Sequence, residues 1–223
     1  MDGKGEAVLR EVGIRKRDVV LDFGCGSGNY AIPAAKIVGE RGVVYALDKN
    51  RWKLDNLMRK AGSRGLRNIV RIDTSGEIDT GLDDRSIDVI LLYDVFWYFP
   101  LSDRRLPILL DELYRVSKPD ALLSVYPKHI DSDGLRKKIE GHGFTFTNVF
   151  SGNLLHDNRL EKGEILNFKT KSACAETEQI RSHNVALEIE VKAYRNELVE
   201  DAKFIEDLRE ELEAQTKSQL DFL

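Results

Sequence analysis

The chain is expected to fold as an α/β doubly wound sheet, mostly parallel with an antiparallel last strand, plus a long C-terminal α-helix. Three features carry this expectation. Apolar, β-rich runs alternate with amphipathic helical stretches through residue 140, the rhythm of a parallel sheet with helices on both faces. The run Ile87-Asp88-Val89-Ile90-Leu91-Leu92 is nearly continuous in apolar character, as a strand covered on both sides should be. Residues 175–222 contain neither Gly nor Pro, so nothing in them interrupts a helix.

Taken in order, strands are expected near 18–22, 42–47, 68–72, 87–93 and 120–126, and helices near 4–12, 29–38, 50–63, 102–116 and 132–140. Ser102 can cap the fourth helix, and Pro119 follows its end. After residue 140 the rhythm changes. Residues 144–150 and 164–169 read as two strands with no helix between them, which most simply form an antiparallel hairpin at the end of the sheet. The connecting loop, 151–163, then sits at the end where the parallel strands have their tips, and ligands of open α/β sheets bind there.

A chain of 223 residues, 42% hydrophobic and 32% charged, holds one well-buried domain plus an extension. Charge divides it. Residues 1–171 carry 28 Lys/Arg against 25 Asp/Glu, a surplus of three positive charges, whereas residues 172–223 carry 6 against 13, a surplus of seven negative. This predicts a globular domain over 1–171 and an acidic tail over 172–223. The body is too weakly basic for a nucleic-acid substrate. No apolar run reaches the length of a membrane span, the first residues lack the core of a signal peptide, and Cys25 and Cys174 make neither a disulfide framework nor a metal cluster. A cytoplasmic protein without a metal is the expectation.

In the tail, positions 180, 184, 187, 191, 194, 198, 201, 205, 208, 212, 215, 219 and 222 alternate in steps of four and three. They are mostly apolar, most clearly from Leu187 to Leu212, which is a coiled-coil seam. Such a helix would extend about 70 Å, and its stripe exceeds what a monomer leaves exposed. A homo-oligomer or a helical protein partner is expected through 175–222, with a helix folded back over the body as the competing reading.

The run Val19-Val20-Leu21-Asp22-Phe23-Gly24-Cys25-Gly26-Ser27-Gly28 is an apolar strand that ends in a carboxylate, followed by alternating glycines that admit a ligand close to the backbone. Asp48 closes the next strand twenty residues beyond Gly28, the position of a ribose-hydroxyl reader. Counted from Gly26, the loop fits a loose dinucleotide pattern. Counted from Asp22, it reads acid-x-Gly-x-Gly-x-Gly, and the acid decides. A carboxylate there repels a pyrophosphate but suits the ammonium and sulfonium of S-adenosylmethionine.

Residues 8–169 resemble a class I S-adenosylmethionine-dependent methyltransferase, Rossmann-like in fold, similar to the small-molecule, ubiquinone/menaquinone-biosynthesis group. The matching segments are residues 20–28, 44–48, 86–95 and Glu112-Leu113-Tyr114-Arg115-Val116-Ser117-Lys118-Pro119. The resemblance implies a seven-stranded sheet with an antiparallel last strand. It implies that Asp22 and the backbone of Gly24 and Gly26 hold the methionine portion, and that Gly28 permits close helix packing. Asp48 binds the ribose hydroxyls, Lys49 lies beside the adenine, Asp73 accepts the adenine amino group, and Tyr93 belongs to the same cofactor site.

On the acceptor side the sequence departs from these relatives. Where the group often reads Asp-x-x-His-His, this chain has Asp94-Val95-Phe96-Trp97-Tyr98, so no base is carried over. The signature of amino-group methylation on bases or glutamine is absent too, and two cysteines are too few for arsenic chemistry. Candidate catalytic residues are Asp94, Tyr98 and His156, with His129 also placed at the ligand end. The expected reaction is transfer of a methyl group by in-line displacement to a small molecule. The alternatives are a non-catalytic cofactor-binding scaffold assembled through its coiled coil, or a protein or RNA methyltransferase recruited through the tail.

Overall fold

The computed structural model describes residues 2–76, 78–156 and 159–170, and in the tail residues 185, 187, 189–192 and 194. The chain divides into two compact units, Met1–Ser172 and Ala173–Leu223.

The first unit follows the order α1 (Asp2–Val12), β1 (Val19–Phe23), α2 (Ala31–Val38), β2 (Val43–Asp48), α3 (Arg51–Ser63), β3 (Ile69–Asp73), β4 (Ile87–Tyr93), α4 (Arg105–Val116), β5 (Ser117–Tyr126), α5 (Ser132–Gly141), β6 (Phe144–His156) and β7 (Arg159–Thr170). The seven strands form one sheet in the order β3-β2-β1-β4-β5-β7-β6. The first five pair in parallel, while β7 runs antiparallel to both β5 and β6. The last strand therefore inserts between β5 and β6, with β6 at the edge.

Two apolar cores sandwich the sheet, as expected when every parallel strand is covered twice. One core joins α1, α2 and α3 to inward residues such as Val20, Val44 and Leu91. The other joins α4 and α5 to Leu21, Ile90 and Leu123. Leu21, Ile90, Leu91 and Leu123 are fully buried, each contributing about 1.5–3 kcal/mol of transfer free energy. The strand order places β1 beside β4, whose following helices α2 and α4 pack on opposite faces. This is the topological switch at which open α/β sheets bind ligands.

Two expectations need correction. Residues 151–156 and 159–163 are strand and not loop: β6 and β7 remain paired in register from Ser151↔Glu164 to His156↔Arg159. The run Ser151-Gly152-Asn153 has turn composition, yet Leu154 is buried and the ladder satisfies its backbone. Ser102 does not cap the fourth helix, which starts at Arg105. Asp103 instead accepts a hydrogen bond from Arg105 N (2.8 Å) and holds that guanidinium as well.

In the second unit the described residues, among them Leu187, Val191 and Tyr194, are helical. Val185, Leu187, Ile189, Val191 and Tyr194 are exposed. The remaining positions of the expected seam lie outside the described residues.

Candidate functional site

The carboxyl ends of β1, β2 and β4 open into a cavity of about 360 Å³. Its floor is the glycine loop. Gly24, Gly26 and Gly28 have φ of 79°, 54° and 86°, all left-handed, where glycine bears no Cβ penalty. Gly24 N and Cys25 N donate to Leu47 O at 2.8 and 3.0 Å, which pins the loop to the tip of β2. At Gly24 a Cβ would meet Val95 Cγ1 at 2.5 Å, and at Gly28 one would meet Leu57 Cγ at 2.9 Å. At Gly26 a Cβ would meet nothing within 4 Å. Gly24 and Gly28 are thus small for packing, and Gly26 is small where the cavity needs room.

Asp22 lies directly beneath this loop and is only 3% exposed. Burial, reinforced by the nearby Asp48 carboxylate, pushes its pKa up to about 7, opposed by a hydrogen bond from the Ala31 backbone. Its Oδ2 is buried with no hydrogen-bond partner among the described residues. A buried, half-satisfied carboxylate is costly unless a ligand completes it. The Ala31 amide is the first of α2, the group that a pyrophosphate would take. Asp22 already holds it, so the donor set fits an ammonium-bearing, phosphate-free ligand.

Asp48 lines the cavity and fixes it. Its Oδ2 accepts from Gly26 N and its Oδ1 from Asn50 N, both at 2.8 Å. Each oxygen keeps lone-pair capacity for a ligand hydroxyl. Asn50 also caps α3 by accepting from Lys53 N at 3.1 Å, so the cap that starts the helix also orients the acid. Lys49 lies over the Tyr98 ring, 3.6 Å from its centroid, and both line the cavity.

Across the cavity, Tyr93 is buried and its hydroxyl bonds Ser124 Oγ at 2.7 Å. Burial raises the pKa of that hydroxyl, so it stays neutral. Its ring meets Tyr30 edge to face at 4.7 Å. Tyr30 clasps β6: its hydroxyl accepts from Leu155 N (2.9 Å) and faces Leu155 O at 3.3 Å. Burial pushes the Tyr30 pKa up to about 12.

Asp94 lines the cavity and holds a left-handed backbone, φ 56°. His129, in the turn after β5, has φ 65°. Its Nε2 is 4.0 Å from Asp94 Oδ1, and its ring packs on Trp97 at 4.1 Å. Nearby, Tyr126 donates to Glu161 Oε1 at 2.7 Å, and Lys128 Nζ reaches the same oxygen at 2.7 Å.

The structure therefore gathers Gly24, Gly26, Asp48, Lys49, Tyr93, Asp94 and Tyr98 in one lining, with Asp22 behind it and Gly28 packed against α3. Asp73 is placed differently. It pairs with Asp48 across β3 and β2, but its carboxylate takes a two-point hydrogen bond from Arg71, both at 2.6 Å. It does not line the cavity, where Thr74 and Gly76 stand instead. The Arg71 guanidinium holds Asp73 below the usual carboxylate range. His156 ends β6 opposite Arg159.

Sequence reasoning passed over Tyr30, Leu155 and Lys53, which also line the cavity. The apolar pair Leu154-Leu155 was the available signal that β6 continues. Nothing in the local sequence distinguishes Tyr30.

Fold and site together define an α/β domain with a cavity at the carboxyl ends of its parallel strands, set over a buried carboxylate. Residues 20–120 match the family described as methyltransferase domain. Demethylmenaquinone methyltransferase from Lactobacillus johnsonii is 27% identical over 124 residues, 56% of this chain and 49% of that protein. The protein of that name from Geobacillus kaustophilus is 32% identical over 120 residues, 52% and 48% of the two chains. The chain spans a third to a half of the length of the curated relatives that it matches. Among solved structures, a SAM-dependent methyltransferase from Aquifex aeolicus has a TM-score of 0.58 at 26% identity, covering 74% of this chain and 88% of that one. The match over residues 20–120 and these similarities support a class I S-adenosylmethionine-dependent methyltransferase domain.

Proposed function

We propose that this chain transfers a methyl group from S-adenosylmethionine to a small-molecule acceptor. The observation that carries the reading is Asp22, a buried carboxylate with Oδ2 unpartnered among the described residues, beneath a loop that leaves open space at Gly26. The bound cofactor supplies a sulfonium-borne methyl group for in-line displacement. Asp22 and the backbone of Gly24 and Gly26 receive its amino-acid end. Asp48 takes the ribose hydroxyls, and Lys49 and Tyr98 flank the base. Because Arg71 occupies Asp73, the adenine edge falls to the cavity-lining segment at Thr74 and Gly76 rather than to that carboxylate.

The acceptor enters from the side of Asp94, Tyr30 and Leu155. Asp94 is the side chain placed to receive an acceptor proton, and positioning supplies most of the remaining acceleration. Relatives named for demethylmenaquinone and aklanonic acid support a small organic acceptor over a protein or RNA, and no observation favours a non-catalytic scaffold. Residues 172–223 serve as a helical self-association or docking element, a reading supported by exposed apolar side chains on described helical positions such as Leu187, Val191 and Tyr194. The function is tested by incubating the protein with methyl-labelled S-adenosylmethionine and fractionated small-molecule extract. Label should move to an extract component with wild type and not with Asp48→Ala; no transfer from any extract refutes the reading.

A further inference from the structure

The chain has two tryptophans, and both stand in solvent at the ligand end of the sheet. Trp52, in the first turn of α3, is 71% exposed, and Trp97, in the segment after β4, is 64% exposed. Tyr98 beside it is 51% exposed. Indole is the side chain with most to gain from leaving water, so two exposed at the same end of the sheet are more than scattered surface apolarity. Trp97 uses one face against His129, and no described aromatic partner packs on Trp52. Tyr98 and Lys53, each adjacent in sequence to one of the tryptophans, line the cavity, so the aromatic rim and the cavity mouth share their residues.

The same rim is positive. Lys49, Lys53 and Arg104 are exposed, and among the described residues no carboxylate is paired with them. Of the acids at this end, Asp103 pairs with Arg105, Asp73 with Arg71 and Arg51, and Asp22 and Asp48 lie on the buried floor, while Asp133, in the first turn of α5, is exposed. Asp94 faces His129. Exposed indoles interleaved with uncommitted cations are the combination that seats a protein at the headgroup level of an anionic bilayer: the rings partition into the interface and the cations meet lipid phosphate and carboxylate. Three cations are too few for the counterion-release binding that holds a nucleic acid.

We propose that this rim docks the protein on the surface of an anionic lipid membrane, with the cavity mouth facing the bilayer. The docked surface is Trp52, Trp97 and Tyr98 with Lys49, Lys53 and Arg104. The cavity then draws its acceptor from the lipid phase, so the substrate class is a molecule that partitions into membranes. That last step rests on the proposed methyl transfer; the docking does not.

The test uses the full chain, without cofactor or acceptor, and vesicles of phosphatidylcholine with or without about 30% phosphatidylserine. Because Trp52 and Trp97 are the only tryptophans, their emission reports the rim directly. Docking predicts a blue shift and co-sedimentation with the anionic vesicles, both weakened when salt is raised to about 0.5 M. Arg104→Ser should lower apparent vesicle affinity about fivefold, on the scale expected for one surface cation, and Trp52→Ser/Trp97→Ser should abolish sedimentation. Val149→Ser, an exposed apolar change on edge strand β6, should leave it unchanged. Circular dichroism of each variant confirms that it is folded, and the emission shift of the wild type needs no variant. No blue shift with anionic vesicles, sedimentation that persists in the tryptophan double variant, or a shift produced by single-stranded RNA but not by vesicles would each overturn the proposal. Loss of docking would leave cofactor binding by calorimetry untouched, so the two readings fail separately.

Discussion

At the scale of single residues, the site is organised by one buried carboxylate. Asp22 has its pKa pushed up to about 7 by burial and by Asp48, whereas in an unfolded chain it would titrate near 3.8. An acid raised in this way lowers stability as pH climbs from about 4 to 7, by roughly 4 kcal/mol at the most, and the loss is level above that. Asp22→Asn cannot titrate, so its thermal stability relative to wild type should rise across that window and stay flat beyond it, as followed by melting at a series of pH values. A ligand ammonium reverses the balance by favouring the ionised form. Cofactor affinity should therefore weaken as pH falls below about 7, with proton release visible at pH 6 as a heat that depends on the buffer's ionisation enthalpy. Gly26→Ala makes a second point. Its Cβ would meet nothing, so the fold bears only the left-handed strain of about 1–2 kcal/mol, whereas cofactor binding should be lost; a variant that binds normally would show that the ligand does not approach Gly26.

At the scale of elements, the clasp between α2 and β6 positions the side of the cavity proposed for the acceptor. Tyr30 makes two hydrogen bonds to the Leu155 backbone, tying the edge strand to the glycine loop across 125 residues of sequence. Tyr30→Phe should cost about 1–2 kcal/mol, and the Leu155 amide should exchange with solvent at least tenfold faster. Unchanged exchange there would mean that the ladder with β7 holds β6 without the tyrosine. This clasp is where local reading stopped. The parallel strands and their helices were legible because periodicity and continuous apolar runs are local signals, and the gathering of Asp22, Gly24, Gly26 and Asp48 at one end of the sheet was legible because a glycine turn that follows a strand is a local constraint. The extension of β6 was hidden because Gly152 and Asn153 look like a turn until the partner strand is known. The occupation of Asp73 by Arg71 was hidden for a different reason: Arg71 is two residues away on the same strand, and only the side-chain geometry shows which acid it chooses, Asp55 contributing as well.

At the scale of the whole molecule, the chain is two units of opposite charge, one that contains the methyltransferase-domain match and an acidic tail. The tail's described residues are helical and expose Leu187, Val191 and Tyr194 at spacings of four and three. Sedimentation of the full chain beside a 1–171 truncation measures what this does: self-association predicts a larger mass for the full chain alone, and equal monomeric masses refute it. If methyl transfer by the truncation equals that of the full chain, the tail does not recruit the acceptor. The central claim concerns the cavity in the first unit. Titration calorimetry with S-adenosylmethionine at pH 8 tests it most directly: a single saturable site is predicted, weakened at least roughly tenfold by Asp22→Asn and by Asp48→Ala, as loss of a charge-assisted hydrogen bond requires. No saturable heat with the wild-type chain, or equal affinity in both variants, would contradict it.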